Sequence, residues 1–430
     1  MRLFMAPMTR LILISSLFCG GPVLAAEQST APPQPDKNDV ITDSTGGQWR
    51  TLPNMTTPRT GHTATLLPDG RVLVVGGKDF QDYHNTAEIF DPAANDGIGA
   101  WRTTAPMNAP RASHTATLLP TGQVLVIGGF SAPRIKEQII PTTHRTVEIY
   151  DPAGNGGQGS WTLLAPLQVP RSSLISIPLP NGKIVVVGAG PDEKGGRTIE
   201  LYDPAADQGR GASQVIGEVT GMPPIATATR LSTGQILVVG VWNYSTGCPH
   251  RARLVTLSPD QRRATSVPVS ATLDLCHPTV TRLPNGKILL AGMSSRVRDP
   301  EDIPGTPVVF LYDPTLSPKK TWMTIPPPPE GPQIYDSWPF HATRSYHSAT
   351  WLPTGMVLFI GTDAVDLFDP AVRPPANPWR ITDHTFARWG HTATSLPNGT
   401  VLVVGGERAS HLDSGRSYAG VQIYEPAPRQ

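Results

Sequence analysis

Two cysteines, a recurring set of histidines and a recurring arginine-acid combination are the residues of this chain whose types and spacing could do chemistry. Three cysteines are present, and Cys19 falls in an N-terminal apolar run, which leaves Cys248 and Cys276. A disulfide between them would close about 28 residues and contribute a few kcal/mol in the chain-entropy model. His62, His114, His347 and His391 each stand eight residues before a turn glycine. Four equivalent imidazoles could form a metal ring, but the matching positions elsewhere hold Leu174, Ala226 and Pro278, a pattern that suits hydrogen-bonded structural histidines better. Arg59, Arg111, Arg171, Arg344 and Arg388 recur three residues earlier, and four of those five units also carry an acid, Glu88, Glu148, Glu200 or Asp366. Where the arginine gives way to Pro223 or Leu275, the acid gives way to Val255 or Phe310. Positions that change together within one chain are expected to touch, so we read them as buried, blade-organising ion pairs.

The scaffold that must position these residues is legible as a repeat. The stretch HTATLLPDGRVLVVGG at 62 returns as HTATLLPTGQVLVIGG at 114 and HTATSLPNGTVLVVGG at 391. Aligned on the turn glycine, the chain holds seven copies. Glycine at the second central turn position permits the positive φ of a tight hairpin. Second strands such as VLVVGG are apolar on both faces and must be covered on both sides. A third strand ends at Asp-Pro or its equivalent, because proline cannot continue a central ladder, and a fourth often opens at Trp. Four antiparallel strands per unit of about fifty residues describe a propeller blade. The last unit stops at its third strand, VQIYEP, while an unpartnered fourth strand, WRTLPNM from Trp49, precedes the first unit. Joining them closes the ring and removes exposed strand edges. The expected fold is therefore all-β: a seven-bladed β-propeller over residues 47–427, closed by pairing the N-terminal strand with the C-terminal blade.

The Gly-Gly after the second strand, the Tyr-Asp-Pro ending the third and the Trp opening the fourth resemble kelch repeats. That resemblance spans nearly the whole array and implies a fold shared by enzymes and binding modules alike. LCHPTVTRLPNGKILLAGM at 275, followed one unit later by RSYHSATWLPTGMVLFIGT, also resembles galactose oxidase and its copper-radical relatives. That second resemblance implies copper, a cross-link between Cys276 and Tyr346, and metal ligation by Tyr346, His347 and His391. A kelch sugar epimerase or mutarotase is a further alternative, working through loop carboxylates and arginines as acid-base groups.

Composition narrows the partners. With 35 basic against 34 acidic residues, no net field attracts nucleic acid or an anionic membrane. Residues 1–26 read as an export signal, with Arg2 and Arg10 before a short apolar run and small residues for cleavage. No stretch is long enough to span a bilayer as a helix. Residues 27–46 read as a disordered Pro-rich leader. We therefore expect a secreted or periplasmic monomer. The turns joining strands one and two are short and uniform, whereas the loops joining strands two and three are long and varied, so recognition is expected on the second face. Trp242, Tyr244, Trp338, Phe340 and Trp389 are the candidate contacts there, suited to a glycan or a protein ligand, with no resident cofactor.

Overall fold

The structure, a computed structural model, describes residues 40–135, 138–188, 197–219, 225–240, 251–269, 275–293, 307–316, 321–326, 348–361, 365–372, 376–382, 388–408 and 417–428. It is all-β, with seven four-stranded blades arranged as a propeller. In the first blade, Thr63–Leu66, Val72–Val75, Ala87–Asp91 and Ala100–Thr104 pair in chain order as an antiparallel meander. The innermost strand of every blade contacts that of the next, and Thr392–Ser395 of the seventh contacts Thr63–Leu66 of the first, which completes the circle. No helix among the described residues is long and apolar enough to cross a membrane.

The ends of the array meet in one sheet. Gln48–Leu52 pairs antiparallel with Val421–Glu425, placing Trp49 opposite Tyr424 and Leu52 opposite Val421. Beyond it, Val40–Thr42 adds a fifth, outer strand and Asp43 caps the intervening turn through the Thr45 and Gly47 amides at 2.9 and 3.1 Å. This corrects the reading of residues 27–46 as disordered throughout, because 40–46 are held by backbone pairing and by the Asp43 carboxylate, which also accepts the Trp49 indole N–H at 3.3 Å. The three strand residues are all exposed and show no apolar periodicity from which such an edge could be read.

Seven apolar clusters hold the ring, one at each junction between blades. The second strands explain why. Val72 and Val74 pack against blade seven, while Leu73 and Val75 pack against blade two, so alternate residues of one strand serve two clusters. Side chains alternate across a strand, and here neither face meets water. The Trp that opens the fourth strand stacks on the aromatic of the third, with centroids 5.0 Å apart in Phe90–Trp101 and in Tyr150–Trp161. Its indole N–H reaches back to the preceding connection, Trp101 to the Pro53 carbonyl at 2.8 Å and Trp161 to that of Ala105 at 2.7 Å.

Three arginine-acid pairs lie fully inside these junctions: Arg59–Glu88 at 3.0 Å, Arg111–Glu148 at 2.5 Å and Arg171–Glu200 at 2.9 Å. Each arginine also donates to the carbonyl that precedes the third strand's entry loop, as Arg111 does to Gly128 at 2.9 Å. The acid ties the incoming connection, Glu148 accepting the Asn108 amide at 2.8 Å. Burial pulls the guanidinium pKa values down and the carboxylates push them back up. Arg344 lies outside the described residues. In blade seven Arg388 meets Gln422 at 2.8 Å instead of an acid.

The fourth blade departs from the sequence alignment. Val238, the equivalent of Val74, pairs with Arg253, so Arg253 and not Val255 occupies the acid's position. Its hairpin between the third and fourth strands, closed by Leu257 opposite Ala264, spans two residues fewer than that of blade one, closed by Asp91 opposite Ala100. Counting back from proline therefore misplaces the register by two. Arg253 is turned outward to Ser266, donating to its carbonyl at 2.8 Å.

Candidate functional site

The face bearing the long loops surrounds the channel mouth. Its inner rim is formed by the residues just before each first strand, and four of them adopt positive φ: Gly61 at 64°, Ser113 at 54°, Ser173 at 49° and Gly390 at 69°. Their amides run around the rim, Ser113 donating to the Gly61 carbonyl at 2.9 Å and Ser173 to that of Ser113 at 3.0 Å. The two serines are exposed and hold a conformation that L-residues rarely adopt. Beneath them, Gly76 at φ 64° packs so closely that a Cβ would stand 2.5 Å from the Arg111 carbonyl, which accounts for the Gly-Gly pair after the second strand.

The repeated histidines staple neighbouring blades. His114 Nε2 shares a hydrogen bond with Thr63 Oγ1 at 2.9 Å, His62 with Thr392 at 3.2 Å and His391 with Ser348 at 2.9 Å. Blade three has Leu174 at this position, and the facing Thr115 hydroxyl is buried without a partner, a vacancy that follows directly from the missing imidazole. Burial, reinforced by Arg59 and Arg111 respectively, lowers the pKa of His62 and of His114 to about 3, so both rings are neutral. With the folded value below the unfolded 6.5, stability is full above pH 6.5 and is lost as pH falls toward 3. Each ring should cost about 2 kcal/mol by pH 5. In urea titrations His114→Leu should flatten the fall between pH 7 and pH 5 by about that amount; an unchanged pH dependence would contradict this role.

These contacts bear on copper. His391 already shares its Nε2 with Ser348, Tyr346 and His347 lie outside the described residues, and only the backbone of Cys276 is described, in the strand Cys276–Arg282. Among the described residues no three metal-ligating side chains converge. Of the side chains implied by the copper-oxidase resemblance only His391 is among those described, and no chemistry is derived through that set. Cys248, Trp242, Tyr244, Trp338 and Phe340 also lie outside the described residues; Trp389 is placed by its backbone, paired with Glu407.

Two long loops on this face are described. In blade one, Lys78–Tyr83 is drawn tight by Asp79, which accepts the Gln81 and Asp82 amides at 2.7 Å each and leaves Phe80 77% exposed. In blade two, short pairings of Phe130–Ser131 with Thr142–Thr143 and of Arg134–Ile135 with Gln138–Ile139 project Ile139, 59% exposed. Tyr83 and Phe130 meet edge to face at 5.8 Å between them. In blade seven, Glu407 is 7% exposed, and burial raises its pKa against the opposing influence of Lys78. Lys78, Phe80 and Glu407 escape a reading built on recurrence. The signal was positional: Lys78, Phe130 and Glu407 follow the Gly-Gly pair in the three units that keep both glycines, where the copies otherwise agree.

Residues 58–108, one complete unit of the array, match the model of the Kelch motif family. The chain is a seven-bladed β-propeller that carries a kelch motif. Among curated proteins the chain is similar to a segment of spermatocyte protein spe-26 of Caenorhabditis elegans, 32% identical over 115 residues, which is 25% of this chain and 18% of that protein. Another is a segment of the Kelch repeat and BTB domain-containing protein 12 of Danio rerio, 26% identical over 152 residues, 33% of this chain and 23% of that one. The matched segments thus span about a fifth of the length of these relatives. Among solved structures, a fungal alcohol oxidase of the AA5 family in complex with copper superposes with a TM-score of 0.50 at 16% identity, over 90% of this chain and 73% of that one. At that identity the likeness is one of fold.

Proposed function

We propose that this kelch propeller is an exported binding module that engages a glycan or a protein through its long-loop face. The observation that supports this reading is the contrast between faces. The turns between strands one and two are uniform, with Gly70, Gly122, Gly182, Gly234, Gly286, Gly355 and Gly399 all at φ between 80° and 87°. The opposite face carries irregular loops presenting Phe80 and Ile139 to solvent. Irregular loops on a rigid repeat scaffold are where recognition resides, and exposed aromatic and aliphatic side chains are its common contacts.

The test is binding by the purified protein to arrayed glycans and to candidate partner proteins, compared with variants of each face. Trp242→Ala and Trp338→Ala should weaken saturable binding by tenfold or more, and Thr121→Ala, on the uniform face, should leave it unchanged. Binding that follows the Thr121 face would overturn the assignment. Copper-dependent peroxide formation from an alcohol or sugar would replace it with an oxidase.

A further inference from the structure

The junction of blades seven and one, on the long-loop rim, holds a carboxyl and an ammonium group that the fold brings together and leaves unspent. Glu407 is nine-tenths buried, yet among the described residues its carboxyl accepts no hydrogen bond and joins no ion pair. The buried acids of the repeat differ sharply. Glu88 takes the Thr56 amide at 2.8 Å and Arg59 at 3.0 Å, while Glu200 takes the Gln168 amide, the Ser213 hydroxyl and Arg171 at 2.7, 2.7 and 2.9 Å. Glu407 therefore lacks the protein contacts that hold the other acids, and its carboxylate oxygens remain reachable from the rim.

Lys78 stands at the same point of blade one, and its charge is felt at Glu407 although the two form no ion pair. Backbone contacts fix the arrangement. Lys78 and Thr60 exchange hydrogen bonds of 2.9 Å, Ser417 Oγ donates to the Lys78 carbonyl at 3.3 Å, and Ser417 bridges to Glu407 through the backbone. Two residues beyond Lys78, the Asp79 turn presents Phe80 to solvent.

We propose that this junction is a saccharide subsite, in which Glu407 accepts hydrogen bonds from sugar hydroxyls, Lys78 donates to neighbouring oxygens and Phe80 offers an apolar face to the ring. It rests on the reading of the long-loop face as a ligand surface. A basic peptide would satisfy Glu407 and be repelled by Lys78, and an acidic one the reverse. The adjacent hydroxyls of a neutral sugar donate and accept at once, which suits both groups, and aromatic faces pack against the C–H side of such rings.

The experiment uses an array of defined neutral oligosaccharides with the wild-type chain, Glu407→Gln and Phe80→Ser, followed by affinity and melting measurements. The wild type should retain at least one saccharide, and each variant should bind it at least tenfold more weakly with a melting temperature at or above that of the wild type. Equal affinity in both variants would overturn the subsite while leaving the ligand-binding reading of the face intact. So would loss of affinity by Glu407→Gln accompanied by a lower melting temperature, which would make Glu407 structural. A wild type that retains no saccharide but binds a protein through the same face would remove the subsite and keep the face.

Discussion

Removing residues 40–52 is expected to leave a chain that no longer folds cooperatively. The segment supplies the outer strands of blade seven, and without it Val421–Glu425 loses its partner along five paired positions. Trp49 and Leu52 are 1% and 3% exposed and sit in the clusters that join blade seven to blades six and one. Trp49 stacks on Tyr424 with centroids 4.7 Å apart. Two large buried apolar side chains contribute about 4–6 kcal/mol of burial, before the lost ladder is counted, against a total stability on the order of 5–15 kcal/mol. Both clusters at the seam would open to water, so the loss does not stay local. Trp49→Ala alone should cost about 3–5 kcal/mol in urea unfolding. A deletion variant with the wild-type unfolding midpoint would contradict closure.

Glu148→Gln should destabilise the protein by about 3–5 kcal/mol, the range for breaking a buried ion pair on one side. Arg111 and Glu148 are both fully buried, and neutralising the acid leaves the guanidinium charge in the junction with only the neutral Gly128, Thr146 and Ala109 carbonyls, at 2.9, 3.3 and 3.5 Å, as partners among the described residues. The comparison that isolates burial is Asp69→Asn. Asp69 and Arg71 also approach to 2.5 Å, but with 45% and 27% of their side chains exposed. Such a pair contributes little, and asparagine already fills the same turn position at Asn181, Asn285 and Asn398. Chemical denaturation should show a large change for Glu148→Gln and less than about 0.5 kcal/mol for Asp69→Asn. Similar changes in the two would mean that charge pairing, not its burial, sets the effect.

The circular architecture was readable because repetition averages out local ambiguity. One VLVVGG is an apolar run, but seven in register with turn glycines and closing prolines define a blade. The unmatched strand at Trp49 was readable for the same reason, since every other unit has a fourth strand. The arginine and acid positions could be matched because they vary jointly. What failed to show was whatever occurs once. The register of Arg253 depends on a hairpin two residues shorter than its counterparts, and a reading anchored on proline cannot see that. Val40–Thr42 is held by backbone pairing, which leaves no mark in side-chain pattern. Neither blade one nor blade two has an acid at the position of Glu407, where they carry Lys78 and Phe130, so recurrence passes over it; its burial beside Lys78 follows only from the way two distant loops meet across the seam.

The seam is also where the account can be tested most directly. Gln48 and Glu425 are exposed and stand opposite each other in the shared sheet, 377 positions apart in the chain. Cysteines placed at both, in a background with Cys248 and Cys276 replaced by serine, should form an intramolecular disulfide under mild oxidation. The product should be a faster-migrating monomer on a non-reducing gel, reverted by thiol. Failure to cross-link in the folded protein, or cross-linking only between chains, would show that the two ends do not share a blade.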